Sequence, residues 1–331
     1  MVLARDSLGD SLHDSLHYNE WGEGDPLIAL HPLALESTAF AGVATHLEEV
    51  GLRTLGVDLP GFGCTPMPDE PLTPAVLAAP VIELARSLER PPIVMGMSLG
   101  GRVALEVALT APDAVRGLVL VAPYMPLHRM SWIIRTAGEY LDPAWGEKLP
   151  LERIWPLLKR TTDLLESIPK LEHDWFARAC VRVAYYSTCP DTRTAFLSAS
   201  RELSLDPMTG PESVWSRLDE IEVPTSFLWA GRDRLIPRSH SEDVLDAMPK
   251  ASQMEVPCSG HFVNFRHFEC MEHAIALATA RVLDEEMGVR HLPGRILTPC
   301  LSGRGAEDVP LRKDGHHVAV DLEELRGVGS S

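Results

Sequence analysis

The chain has 331 residues, of which 45% are hydrophobic and 23% are charged, and its formal net charge at pH 7 is -17. This composition is typical of a globular protein with a large core. The negative charge disfavours nucleic acid and anionic lipid surfaces as partners, so a small, largely apolar molecule is the expected ligand.

The sequence shows neither a recognisable targeting signal nor a cysteine motif. The first ten residues lack the basic segment and apolar run of a secretion signal, and no apolar run approaches the roughly 20 residues that span a bilayer. We therefore predict a cytoplasmic protein without a membrane span, and the oligomeric state stays open. The cysteines have no C-x-x-C spacing, which predicts neither a zinc site nor a disulfide framework: Cys64, Cys180, Cys189, Cys258, Cys270 and Cys300.

Short apolar runs alternate with longer helical patterns along most of the chain. The runs predicted as buried strands are Leu27–Leu30, Arg53–Val57, Ile93–Met97, Leu118–Val121, Ser226–Ala230 and Gln253–Val256. The patterns predicted as helices are Ala39–Val50, Pro74–Leu88, Leu99–Leu109, His240–Ala247 and Phe262–Glu286. Strands that alternate with helices of this length imply crossover connections, so we predict an α/β fold with a mostly parallel sheet and helices on both faces.

The alternation stops after the strand that ends near Val121 and resumes near Val223. Between them lie several tryptophans and helical patterns without a clear strand. We predict a helical cap over residues 125–214, inserted into a core formed by residues 1–124 and 215–289. Residues 290–331 are rich in Gly and Pro, which predicts a flexible tail, although the run "HHVAVDLEEL" is compatible with a short element.

The stretch Gly96-Met97-Ser98-Leu99-Gly100 places a serine between a predicted strand and a predicted helix. This context is the one that a nucleophile elbow requires, because the sharp turn leaves no room for side chains two residues before and after the serine. G-x-S-x-G also arises by chance, and a serine that caps a helix beside packing glycines is the alternative interpretation.

Candidate partners for Ser98 follow two later strands. Asp233 lies in the turn "GRDRLIP" and His261 in "CSGHF". A serine nucleophile needs a base, and the base needs an orienting acid. Each residue alone has a simpler interpretation, as a turn residue or the start of a helix. Their joint occurrence at strand ends, in the order Ser98, Asp233 and His261, favours a catalytic triad.

Taken together, these motifs resemble the α/β-hydrolase family, in particular its capped esterases, lactonases and C–C hydrolases. The resemblance covers about residues 15 to 285 and includes "LIALHP", "GVDLPGFGCT", "GMSLGG", "GRDRLIP" and "SGH". It implies that Ser98 is the nucleophile, Asp233 the acid and His261 the base. It further implies an oxyanion hole formed by the backbone amides of Leu33 and Leu99, and no cofactor or metal.

One position departs from the family pattern. Family members usually have His-Gly where this chain has His31-Pro32. Proline has no N–H and holds the preceding residue extended, but it leaves the amide of Leu33 intact. Pro32 is therefore either a rigid turn that the oxyanion hole tolerates or a change that reshapes the hole and alters activity.

The predicted function is a serine hydrolase that cleaves an ester, lactone or thioester, or an activated C–C bond, of a small apolar substrate. Two alternatives remain: a binding or scaffolding protein with little turnover, and a perhydrolase-type activity. The residues predicted to line the substrate pocket, for which core packing is the alternative, are His31, Tyr124, Trp132, Trp145 and Phe262.

Overall fold

The computed structural model describes residues 16–126, 190–233, 235–236, 239–257, 259–261, 268–286 and 295–297. In these residues the sheet has eight strands in the order β1-β3-β2-β4-β5-β6-β7-β8. Strand β1 is antiparallel to β3, and every other neighbouring pair is parallel. The strands are β1 Tyr18–Trp21, β2 Asp25–Leu30, β3 Leu52–Val57, β4 Ile93–Met97, β5 Gly117–Val121, β6 Thr225–Ala230, β7 Ser252–Val256 and β8 Arg295–Leu297.

Six α-helices lie in the described residues. They are α1 Ala41–Glu49, α2 Pro74–Ser87, α3 Leu99–Thr110, α4 Pro190–Leu205, α5 His240–Ala247 and α6 Phe268–Glu286. Short 3-10 helices occur at Ser37–Phe40, Pro112–Ala114 and Val214–Glu220. The helix α2 begins with Thr73 as its N-cap, whose side chain accepts a hydrogen bond from the amide of Val76, and with Pro74 at the first helical position; both residues favour a helix start.

The central strands are buried on both faces, and each face has its own apolar cluster. Along β2, Leu27 and Ala29 belong to the cluster that includes α1 and α6, while Ile28 and Leu30 belong to the cluster that includes α2 and α3. This alternation follows from the two-residue period of a strand. It explains why the strands read as continuous apolar runs in the sequence.

The predicted α/β class and all six predicted strands are confirmed, with the ends shifted by at most two residues. Strand β1 was not predicted because its four residues are all half-buried and include Asn19 and Glu20. Strand β8 pairs in parallel with β7. Within the predicted flexible tail of residues 290–331, the structure describes only this three-residue strand, which is too short to show a pattern in the sequence, so the tail stays a prediction.

The helix α4 is the part of the predicted cap that the structure describes at length. The cap as a whole stays a prediction, because residues 127–189 lie outside the described residues, whereas α4 is helical over Pro190–Leu205. Its buried residues Ala195, Phe196 and Leu203 join the same apolar cluster as α2 and α3. Among the helices described, none is long and apolar enough to cross a membrane.

Candidate active site

Ser98 occupies the sharp turn between β4 and α3. Its backbone has φ 50° and ψ -113°, and α3 begins at the next residue, Leu99. A positive φ is unfavourable for a residue with a Cβ, so the turn stores strain that the surrounding structure must hold. The amide of Ser98 donates to the carbonyl of Val121, and its carbonyl accepts from the amides of Arg102 and Tyr124. These bonds fix the serine at the carboxyl end of the sheet.

The glycines on either side of Ser98 permit this turn because backbone atoms approach them closely. A Cβ on Gly96 would lie 2.2 Å from the carbonyl oxygen of Gly100, and a Cβ on Gly100 would lie 2.1 Å from that of Leu30. Both contacts are far shorter than van der Waals distance, and neither involves a side chain that could move aside. The G-x-S-x-G spacing is therefore a steric requirement of this turn.

The strain at Ser98 leads to a prediction about stability. Ser98→Gly should be more stable than Ser98→Ala by about 1–3 kcal/mol, because glycine adopts positive φ without a Cβ clash. Urea unfolding followed by circular dichroism measures the difference. In the matched control at Ser200, within α4, the order should reverse, with glycine about 0.5–1 kcal/mol less stable than alanine. Equal stability of the two Ser98 variants would contradict the prediction.

The structure brings Ser98, His261 and Asp233 together from three separate loops. The Oγ atom of Ser98 lies 3.0 Å from Nε2 of His261, and Nδ1 of His261 lies 2.8 Å from Oδ2 of Asp233. The side chains of His261 and Asp233 are 8% and 3% exposed, whereas Ser98 is half-buried. An acceptor carboxylate at Nδ1 keeps the proton on that nitrogen, so Nε2 is left to accept the proton of Ser98.

Backbone donors hold Asp233 in this orientation. Its second carboxylate oxygen, Oδ1, accepts hydrogen bonds of 2.8 Å from the amides of Leu235 and Ile236. The loops that carry the acid and the base are also tied together, since the amide of Arg232 donates to the carbonyl of Ser259 at 2.8 Å. These bonds hold the carboxylate of Asp233 in place beside the imidazole of His261, and the carboxylate in turn orients the ring.

The segment after β2 lies against the start of α3, where Gly100 meets the carbonyls of Leu30 and His31. The carbonyl of Pro32 accepts from the amide of Leu35 at 3.2 Å and lies 2.9 Å from Nδ1 of His31. Neither predicted oxyanion amide, that of Leu33 or that of Leu99, donates to another described residue. This geometry supports the interpretation of Pro32 as a rigid turn that leaves both amides in place.

His31, which stays a predicted pocket residue, is fully buried. Its Nε2 accepts the amide proton of Leu59 at 3.0 Å, which leaves Nδ1 to donate to Pro32. Both nitrogens are therefore used within the protein, and the ring connects the turn after β3 to the segment after β2. Burial lowers the pKa of His31 below its ordinary value, against the raising effect of Pro32 and Asp58.

The lowered pKa of His31 predicts acid destabilisation. The unfolded chain binds a proton on this ring more readily than the folded chain, so its contribution is complete above about pH 6.5 and is lost as the pH falls toward the folded pKa. In that window the free energy of unfolding should fall by up to about 1.4 kcal/mol per pH unit more in the parent than in His31→Gln. Urea titrations at pH 7, 6 and 5 test this, and parallel curves for the two proteins would refute it.

The other predicted pocket residues divide into two groups. The amide of Tyr124 donates to the carbonyl of Ser98, and the hydroxyl of Tyr124 donates to the carbonyl of Leu203 at 2.6 Å. Burial raises the pKa of this hydroxyl. Tyr124 therefore connects the elbow to α4, whether or not its ring contacts substrate. Trp132, Trp145 and Phe262 lie outside the described residues.

A buried ion pair beside the elbow was not predicted from the sequence. Arg102 on α3 donates to Asp206 through Nε at 2.7 Å and Nη2 at 3.2 Å, and to Glu106 through Nη1 at 2.8 Å. Burial acts to lower the pKa of Arg102, but the hydrogen bonds and charge of Asp206 outweigh it and raise the pKa. The pair connects helix α3 to Asp206, the residue that follows α4. Because Asp206 is far along the chain, no local pattern reveals the pairing.

A group of side chains that could bind a metal ion lies apart from Ser98, His261 and Asp233. Among the described residues, His17, Asp58 and Cys64 form the one group of side chains whose donor atoms could hold a metal ion. Burial acts to raise the pKa of Asp58, but hydrogen bonds from the backbone of Cys64 and Ser37 outweigh it, so the pKa lies below its ordinary value.

Comparisons with known proteins agree with this architecture. Residues 27–276 match the model of the alpha/beta hydrolase family. The pimeloyl-[acyl-carrier protein] methyl ester esterase of Shewanella oneidensis is 27% identical over 256 residues, which covers 74% of this chain and 86% of the esterase. The 2-hydroxy-6-oxononadienedioate/2-hydroxy-6-oxononatrienedioate hydrolase of Comamonas testosteroni is 25% identical over 271 residues, or 76% and 86% of the two chains. The structure of a thermophilic esterase from Thermogutta terrifontis superposes with a TM-score of 0.62 at 21% identity, covering 81% of this chain and 93% of the esterase.

Proposed function

Because the chain belongs to the alpha/beta hydrolase family of enzymes, we propose that it is a serine hydrolase that cleaves carboxylic esters of small, largely apolar substrates. The observation that carries the proposal is the continuous hydrogen-bonded chain from Ser98 through His261 to Asp233, with distances of 3.0 and 2.8 Å. The Shewanella relative, named as a methyl ester esterase, supports an ester as the bond.

Acyl transfer would begin when Ser98 Oγ attacks the ester carbonyl and its proton passes to Nε2 of His261. The buried carboxylate of Asp233 stabilises the imidazolium that forms. The developing oxyanion would accept hydrogen bonds from the amides of Leu99 and Leu33. His261 then returns the proton to the leaving alcohol, and the acyl group stays on Ser98.

Deacylation would use the same residues, with water in place of Ser98 as the nucleophile. His261 takes a proton from water, the resulting hydroxide attacks the acyl carbonyl, and the oxyanion again meets the two amides. Collapse releases the carboxylic acid and returns the proton to Ser98. The cycle consumes one water, which balances the products, and it requires no cofactor.

A fluorophosphonate probe tests the nucleophile directly. We expect one adduct per chain by intact mass, located on Ser98 by peptide mass spectrometry, and no adduct in Ser98→Ala. The control Ser200→Ala, which removes a serine hydroxyl within α4, should label like the parent. A protein that remains unlabelled, or that is labelled equally in Ser98→Ala, would refute the serine hydrolase and favour a binding or scaffolding role.

The substrate class requires a separate measurement. With p-nitrophenyl esters, kcat/KM should rise as the acyl chain lengthens and should fall for an anionic acyl group, because the net charge of -17 disfavours anions. Preference for short or anionic acyl groups would overturn the apolar assignment.

Hydrolysis of a C–C bond is the second candidate, favoured by the Comamonas relative, a hydrolase of 2-hydroxy-6-oxononadienedioate. A higher kcat/KM for a 2-hydroxy-6-oxo-dienoate than for any ester would select it.

A further inference from the structure

A second cluster of reactive side chains lies at the turn that follows β3 and is not used by the triad. A ring nitrogen of His17, a carboxylate oxygen of Asp58 and the Sγ atom of Cys64 all lie within 4.8 Å of one another. Imidazole, carboxylate and thiolate are the three ligand types that Zn²⁺ takes most often in proteins. The residues come from two separate segments of the chain, so no C-x-x-C spacing marks them in the sequence.

The carboxylate of Asp58 is the fixed part of the cluster. Its side chain is 3% exposed. Its Oδ1 atom accepts the amide of Ser37 at 2.7 Å, and Oδ2 accepts the amide of Cys64 at 2.9 Å and lies 2.7 Å from Nδ1 of His17. Hydrogen bonds of this kind orient carboxylate ligands around metal ions.

The surrounding turn is shaped around that carboxylate. Gly63 has φ +55°, and a Cβ there would lie 2.2 Å from the carboxyl carbon of Asp58. The hydroxyl of Thr65 accepts the amide of His17 at 2.9 Å and donates to the carbonyl of Asp58 at 2.6 Å. These contacts hold the backbones of all three candidate ligands in one arrangement, which reduces the cost of assembling a site.

The ligand types favour a cation. A divalent cation could take the carboxylate of Asp58 and a thiolate of Cys64 as its two anionic ligands and the imidazole of His17 as a neutral one. Cys64 is an exposed thiol, and the side chain of His17 is 23% exposed, so a cation can enter from solvent.

We propose that His17, Asp58 and Cys64 bind a thiophilic divalent cation of the Zn²⁺ class, at a site separate from the catalytic triad. Tetrahedral zinc bonds of about 2.0 to 2.3 Å place the donor atoms roughly 3.3–3.6 Å apart. The ion would therefore draw in donors that now lie as much as 4.8 Å apart, and it would replace the proton shared by Nδ1 of His17 and Oδ2 of Asp58, which must separate from 2.7 Å. Three protein ligands leave a fourth tetrahedral position for water.

Cobalt titration of the untagged full-length chain tests the site, after stripping with a chelator. We expect one equivalent of Co²⁺ to bind with a thiolate-to-cobalt charge-transfer absorption, and Zn²⁺ to displace it. Cys64→Ser should abolish this absorption, and His17→Gln should weaken Co²⁺ affinity by at least roughly tenfold. Circular dichroism of both variants checks that their fold is retained.

Two controls separate this site from other thiols and from the proposed catalysis. Cys270→Ser, which changes a cysteine in α6, should keep the cobalt spectrum. Ser98→Ala should also bind Co²⁺ like the parent, so the metal site stands or fails independently of the hydrolase proposal. A parent spectrum without thiolate absorption, or an unchanged spectrum in Cys64→Ser, would overturn the inference.

Discussion

Ser98→Ala is expected to lower kcat for ester hydrolysis by roughly 10³- to 10⁶-fold, with little change in KM. The substitution removes the hydroxyl that lies 3.0 Å from Nε2 of His261 and leaves the other side chains unchanged. Steady-state kinetics with a p-nitrophenyl ester measure the effect. A loss below about tenfold would show that another group performs the attack.

Asp233→Asn is the companion to that experiment. Asparagine keeps the shape of the side chain but removes the acceptor charge beside Nδ1 of His261, 2.8 Å away. The imidazole then loses the tautomer that leaves Nε2 free, and kcat should fall by roughly 10⁴-fold. Fluorophosphonate labelling should slow in this variant without being lost, which distinguishes a misoriented base from a missing nucleophile.

Asp206→Asn is expected to destabilise the protein by about 3–5 kcal/mol. The substitution leaves the guanidinium of Arg102 buried without its bidentate partner, in a pair whose side chains are only 5% and 3% exposed. Urea unfolding followed by circular dichroism measures the change in the free energy of unfolding.

The exposed pair of Arg217 and Glu220 supplies the matched control. Its side chains are 28% and 53% exposed, so Glu220→Gln should change stability by less than about 1 kcal/mol. The double variant Arg102→Met, Asp206→Leu should recover part of the loss, because it removes both of the most buried charges and leaves only Glu106, which is 15% exposed, without its arginine partner. Equal effects of Asp206→Asn and Glu220→Gln would show that the buried pair is not coupled to folding.

The parts of the molecule that were predictable from the sequence are those encoded by neighbouring residues. Leu27–Leu30 and Ile93–Met97 read as strands because both faces of the sheet are covered, and the glycines around Ser98 mark the elbow because the turn excludes side chains. The half-buried strand β1 and the three-residue strand β8 carry too little pattern to be recognised.

Most contacts between residues that are far apart along the chain could not be predicted from sequence patterns. Arg102 reads as an ordinary polar residue of a helix until Asp206 is brought beside it, and His31 reads as a ligand contact until Leu59 occupies its second nitrogen. The contacts among Ser98, His261 and Asp233 are the exception. They could be predicted because each of these residues has a local signature, at the end of an apolar strand.

The order of strands in the sheet has a consequence for how the chain is made. Strands β1 to β5 are contiguous in space, and β6 to β8 add to them one after another on the free side of β5. A ribosome that has completed β5 has therefore produced Ser98 but neither Asp233 nor His261. One edge of the fully buried strand β5 stays unpaired until residues 122–224 have been synthesised and β6 can pair with it. An unpaired apolar edge is a template for aggregation. The newborn chain thus exposes this apolar edge and lacks two of the three residues of the proposed triad over the same interval, while residues 122–224 are being synthesised.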